Sequence, residues 1–162
     1  MLLEGLHIPL TTPFHPDGRL NLPKLAANVV RYSKSPAAGL VVLGPSGEPT
    51  LLTDDETHEV LRVAVQAAAP EKILIAGISR DSVHATLELA RFAAELSYGT
   101  LFIPFTGACD PTVAAQLAEA LARDQGEPVW SLRLDRHDKD DTCWLHANAW
   151  CFSTREPDKV QT

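Results

Sequence analysis

Cysteine is scarce in this chain of 162 residues: there are three, and none precedes Cys109. Thiols confined to the last third do not make a disulfide framework, and they suit a reducing compartment. No apolar run approaches the ~20 residues that a membrane-spanning helix requires. Clusters of Lys or Arg are missing as well, and the net charge of −7 argues against nucleic acid or an anionic membrane as the main partner. The first strand pattern starts within a few residues of Met1, which leaves no room for a targeting segment, so the expected location is cytoplasmic. What remains is ordinary for a globular protein, with 45% hydrophobic and 22% charged residues. At this length one domain is expected, burying roughly two-thirds of its unfolded surface.

A strand-then-helix unit recurs along the first 125 residues. LHIPLTTPF (6–14) reads as a strand, and HPDGR after it as a Pro-Asp-Gly turn. In LNLPKLAANVVRYSKS, Asn21 can cap a helix, Pro23 suits its first turn, and Leu25, Val29 and Tyr32 share one face. GLVVLG is a short apolar strand. Thr53-Asp-Asp-Glu56 is a capping box, followed by a stripe of Val60, Leu61, Ala64, Val65 and Ala68 that stops at Pro70. KILIAGIS (72–79) gives a third strand, and Leu89, Phe92, Ala93 and Leu96 mark a helix starting near Asp81 or Ser82. GTLFIPF (99–105) is a fourth strand, and DPTVAAQLAEALARDQ a fourth helix capped by Asp110 with Pro111 behind it. Strict alternation of this kind means a parallel sheet covered by helices, α/β in class. Two architectures fit: an open doubly wound sheet, or a partial (β/α)₈ TIM barrel of about four to five βα units.

Residues 126–162 differ in character. They hold all three Trp and two of the three Cys without a sustained helical period. VWSLRL could be one more strand, and the remainder is expected to be a divergent, poorly ordered tail. Its Cys143, His146 and Cys151, with Asp141 or His137, could supply zinc ligands, although a structural zinc usually takes two tight pairs. Incidental Cys and His in a tail is the plainer interpretation. Cys109 has no partner base in sight as a nucleophile, and His7 and His15 beside the first strand suit surface or packing roles.

The turn GPSGE follows the second strand, where parallel α/β folds gather ligands. Gly44 and Gly47 allow positive φ, Ser46 offers a hydroxyl, and the Ser46 and Gly47 N–H groups could line a small anion pocket. A plain strand-to-loop turn is the alternative; neither a Walker loop nor a dinucleotide fingerprint has this spacing.

Three stretches, IPLTTPFHPDGRLN, AAGLVVLGPSGEPTLLTDDE and ILIAGISRDSVHATLELARFAAELS, occur in the order and spacing of one family. Over residues 4 to 97 the chain resembles the dihydrodipicolinate synthase / N-acetylneuraminate lyase family, in particular its 4-hydroxy-2-oxoglutarate aldolase-like branch. The resemblance implies a (β/α)₈ barrel that condenses or cleaves 2-oxo acids through a lysine Schiff base, with no cofactor or metal. It implies that the GxxGE turn holds the carboxylate of a pyruvate-type substrate, which makes Ser46, the Gly47 backbone and Thr12, with Thr11 beside it, the substrate-binding candidates. Pro45 departs from the hydroxyl or amide residue common there and removes a backbone N–H.

The same resemblance exposes what is missing. A full barrel typically needs ~250 residues. The family's proton-relay tyrosine follows the fourth strand, whereas Tyr98 precedes it here. Its Schiff-base lysine lies on the sixth strand, and none of Lys24, Lys34, Lys72, Lys139 and Lys159 stands in an apolar strand of that context. Burial is what keeps such an amine neutral and nucleophilic, and Lys139 sits instead among carboxylates. If IPFTGACDPTVAAQLAEAL is matched to the fifth unit, Arg133 takes the lysine's place, and a guanidinium forms no Schiff base. No catalytic residue is assigned. The expectation is a truncated or aberrant member, residues 1–125 forming the N-terminal half of the barrel, inactive as an aldolase alone. The alternative is a non-catalytic fragment that binds a 2-oxo acid, forms a homo-oligomer or pairs with a full-length homologue through its open sheet edges.

Overall fold

The computed structural model describes residues 5–80, 82–98, 100–103, 134–139, 142–147 and 150–153. The expected fourth helix (110–125), Cys109, Arg133, Asp141 and Lys159 lie outside the described residues, as does all of VWSLRL but Leu134.

Four parallel strands run in chain order: β1 (His7–Pro9), β2 (Gly39–Val42), β3 (Ile73–Gly77) and β4 (Thr100–Ile103). Between them lie α1 (Leu22–Ser33), α2 (Asp54–Ala67) and α3 (Val83–Glu95). Each strand pairs with the next without a reversal of order. A doubly wound sheet needs such a reversal, whereas a barrel adds every strand on the same side. The sheet is thus an arc of a (β/α)₈ barrel. Its register agrees: Ile8, Leu40 and Leu74 are partners across β1, β2 and β3, with Leu40 buried in the core under the helices and Ile8 and Leu74 half-buried against it. Side chains alternate along a strand, so Gly39, Val41, Ile73, Ile75 and Gly77 face the other way.

Each helix begins where its cap stands. The Asn21 side chain accepts from the Lys24 N–H at 3.0 Å, with Pro23 in the first turn. Thr53 and Glu56 cap reciprocally: Thr53 Oγ1 accepts from the Glu56 N–H (3.3 Å), and Glu56 Oε2 accepts from the Thr53 N–H (3.0 Å). Ser82 receives the Ala85 N–H at 3.1 Å. Leu25, Val29, Val60, Leu61, Ala64, Leu89 and Ala93, the apolar stripes behind those caps, are buried in one core. The α3 helix closes at Ser97, whose left-handed backbone (φ 64) leads Tyr98 to donate its N–H to the Ala93 carbonyl at 3.1 Å.

The first strand is shorter than the sequence suggests. After Leu10 donates to the Val41 carbonyl (2.9 Å), the ladder ends. Pro13 has no N–H to offer it, and Phe14 instead bridges Leu20 across the HPDG turn, where Gly18 has φ 86. Asp17 in that turn bonds Arg19 Nε at 2.8 Å, and the guanidinium holds the carboxyl below its usual pKa.

In the 126–162 region β5 (Leu134–Lys139) and β6 (Thr142–Ala147) form an antiparallel hairpin. A last strand, β7 (Trp150–Ser153), lies antiparallel on the far edge of β4. Among the described residues no helix is long and apolar enough to cross a membrane.

Candidate functional site

The chain turns sharply at the carboxyl end of β2. Leu43 takes the left-handed conformation (φ 57), and Glu48 does so again (φ 52). Between them Pro45–Gly47 form a 3₁₀ turn in which Gly47 donates to the Gly44 carbonyl at 2.8 Å. A second 3₁₀ turn, Pro49–Leu51, leads into the Thr53 cap of α2. Positive φ at Gly44 and Gly47 is therefore not what the fold uses. Gly44 precedes a proline, whose ring drives it to extended backbone (φ −67, ψ −178), and Gly47 lies within the 3₁₀ turn. The bend passes to Leu43, whose side chain is anchored in the core.

Neighbouring strands hold this turn on both sides. Thr12, just past β1, donates its hydroxyl to the Gly47 carbonyl at 2.7 Å. On the other side the Leu43–Gly44 peptide lies directly on Gly77 at the end of β3, so close that a methyl group there would overlap the Leu43 carbonyl. Three residues later Arg80 reaches back to the Pro49 carbonyl, the Thr57 hydroxyl and the Asp54 carboxylate. Sequence reasoning missed Gly77 and Arg80. The signal for both was positional, since they end the strand beside the turn.

The three expected binding residues meet here unequally. Thr12 and Gly47 are in direct contact, and Gly47 is buried. The Gly47 N–H is already engaged within the turn, so it is not the anion donor expected of it. Ser46 is exposed at the crest, and among the described residues its N–H and hydroxyl make no hydrogen bond. Thr11 is exposed.

Other candidates lie elsewhere. Lys72 stands at the opposite end of β3, donating to the Ser35 and Ala37 carbonyls at 2.9 and 2.7 Å. It lines a cavity of about 210 Å³ with Val65, Ala68, Ile73 and Leu96, at the amino ends of the strands. Tyr98 is fully buried and donates its hydroxyl to the Leu61 carbonyl at 2.9 Å; burial pushes its pKa far up. It acts as a core residue. The His7 ring lies against Gly39, and neither ring nitrogen has a partner among the described residues. Cys143 and His146 fall within the backbone of β6, while Asp141, the other expected zinc ligand beside them, lies outside the described residues.

A sequence model described as the Dihydrodipicolinate synthetase family matches residues 2–122. The chain belongs to this family. Among its relatives is the 4-hydroxy-tetrahydrodipicolinate synthase of Xanthomonas campestris pv. campestris, 33% identical over 131 residues, or 80% of this chain and 43% of that one. The N-acetylneuraminate lyase of Histophilus somni is 35% identical over 101 residues, 61% of this chain and 34% of the lyase. The crystal structure of N-acetylneuraminate lyase from Mycoplasma synoviae superposes with a TM-score of 0.66 at 27% identity, covering 76% of this chain and 44% of that one. The chain thus spans less than half the length of these family relatives. Within the family match falls the whole strand–turn–helix region from Thr12 to Arg80.

Proposed function

We propose that this chain is a partial, aberrant member of the family's 4-hydroxy-2-oxoglutarate aldolase-like branch. In this reading its β2–α2 turn is half of a pocket for the carboxylate of a pyruvate-type 2-oxo acid. Residues 1–125 are then the N-terminal half of an aldolase-type barrel, and 126–162 a divergent segment. The observation that carries the reading is the Thr12–Gly47 hydrogen bond, which joins the ends of β1 and β2 around the turn. Ser46 supplies the donors: its N–H and hydroxyl are exposed at the carboxyl ends of the strands, where this fold gathers substrates. Thr12 orients the Gly47 carbonyl, keeping that acceptor occupied and away from an incoming anion.

Aldolase chemistry by this route needs a neutral amine that adds to the 2-oxo carbon and expels water, giving an iminium that stabilises the neighbouring carbanion. The Lys72 ammonium donates to two carbonyls at the wrong end of the sheet, and Lys24 and Lys34 are exposed on and beside α1. In this reading Lys139 and Lys159 do not serve either, and the chain binds the oxo acid without forming the adduct. Pyruvate and borohydride are added to the purified chain, and its intact mass is measured. The expected result is no added mass from a sample that still gives a folded spectrum. A trapped adduct on one lysine would overturn the assignment of inactivity, and peptide mapping would locate the nucleophile.

A further inference from the structure

We infer that Arg80 is a positioning residue for the β2–α2 turn, locking its far side to the end of β3 as Thr12 locks its near side to β1. The side chain is only 13% exposed, unusually low for an arginine just past a strand end. Its guanidinium spends its donors on three separate parts of the connection. Nη1 reaches the Pro49 carbonyl (3.5 Å) and the Ser79 carbonyl (3.2 Å). Nη2 donates to Thr57 Oγ1, and Nε faces Asp54 Oδ1 at 3.4 Å. Thr57 is fully buried and passes the contact on, donating to the carbonyl of Thr53, the α2 cap, at 2.9 Å. Arg80 therefore fixes both the residue that follows left-handed Glu48 and the first turn of the helix. A lysine could reach only one of these partners at a time, because its donors sit on a single point rather than a planar fork.

That the held turn binds an oxo acid rests on the reading above; the positioning role rests on these contacts alone. The test uses the full chain and amide hydrogen exchange. In Arg80→Ala, exchange at Gly47, Glu48 and Leu51 should quicken by about ten-fold, the mark of a local opening, while Ala64 and Ala93 in the core keep their rates. Arg80→Lys should fall between, and methylguanidinium added to Arg80→Ala should restore protection. Unchanged turn amides, or a uniform rise that includes the core, would overturn the positioning role. If Arg80→Ala does not fold, Arg80→Lys carries the same comparison. A parallel pyruvate titration of the unaltered chain, read at the Ser46 amide, reports on the pocket separately: silence there sinks the oxo-acid reading and leaves the exchange result standing.

Discussion

Leu43 and Glu48 carry the left-handed backbone of the turn while the adjacent glycines do not, and this reverses the usual expectation for substitutions. A non-glycine residue pays about 1–2 kcal/mol in that conformation. Glu48→Gly should therefore raise stability by up to about 1 kcal/mol in a urea melt, after the added flexibility of glycine is deducted. Gly47→Ala should be close to neutral, since its methyl would meet Leu10 O at 3.4 Å and Thr12 Oγ1 at 3.5 Å, ordinary contacts. Gly77→Ala should lower stability by about 2 kcal/mol or more, because the overlap is with backbone that cannot turn aside. Equal effects at the two glycines would contradict this account of the turn. The sequence shows that glycines matter here but not which one, because the decisive contact crosses from β2 to β3.

Tyr98 makes a residue-scale prediction of its own. Its phenol titrates near 10.0 when solvated, and burial raises that value in the folded state. The folded chain keeps the proton that the unfolded chain releases, so stability is complete below about pH 10 and falls above it, by up to about 1.4 kcal/mol per pH unit. Tyr98→Phe should cost about 0.5–1.5 kcal/mol at neutral pH, for the lost hydrogen bond to a Leu61 carbonyl that keeps its place in the helix ladder, and should weaken the alkaline slope. Urea titrations across pH 8 to 11 compare the two slopes.

At the scale of elements, the caps were the most readable features. Asn21 and the Thr53–Glu56 pair act within three residues of themselves, so no tertiary information is needed to see them. Strand ends were less legible. LHIPLTTPF has a strand's composition throughout, yet only His7–Pro9 pair, because the chain must leave the sheet to set Thr12 against the turn. Thr53→Ala should cost about 1 kcal/mol. It should also couple to Arg80→Ala, since Thr57 connects the two sites. A double-mutant cycle that comes out additive within about 0.3–0.5 kcal/mol would show the connection to be energetically idle.

For the molecule as a whole, alternation of strands and helices gave the class but left open sheet or barrel undecided. Strand order made that choice, and order is a property of pairing that a single sequence does not display. The family resemblance had anticipated the same answer through the motifs around Thr12, the GPSGE turn and Ser79-Arg80. Lys72 illustrates the remainder: its part in joining the α1–β2 loop to β3 depends on carbonyls 35 and 37 residues away in the chain.

One more consequence follows from β7. It lies antiparallel on β4, whereas a (β/α)₈ barrel brings its fifth strand to that edge in the parallel sense. The two arrangements compete for the same carbonyls and N–H groups. Any strand arriving there from elsewhere must first wait for Trp150–Ser153 to leave. Capture would then saturate in time as well as in amount: with increasing partner concentration the observed rate should level off at the spontaneous release rate of one four-residue strand.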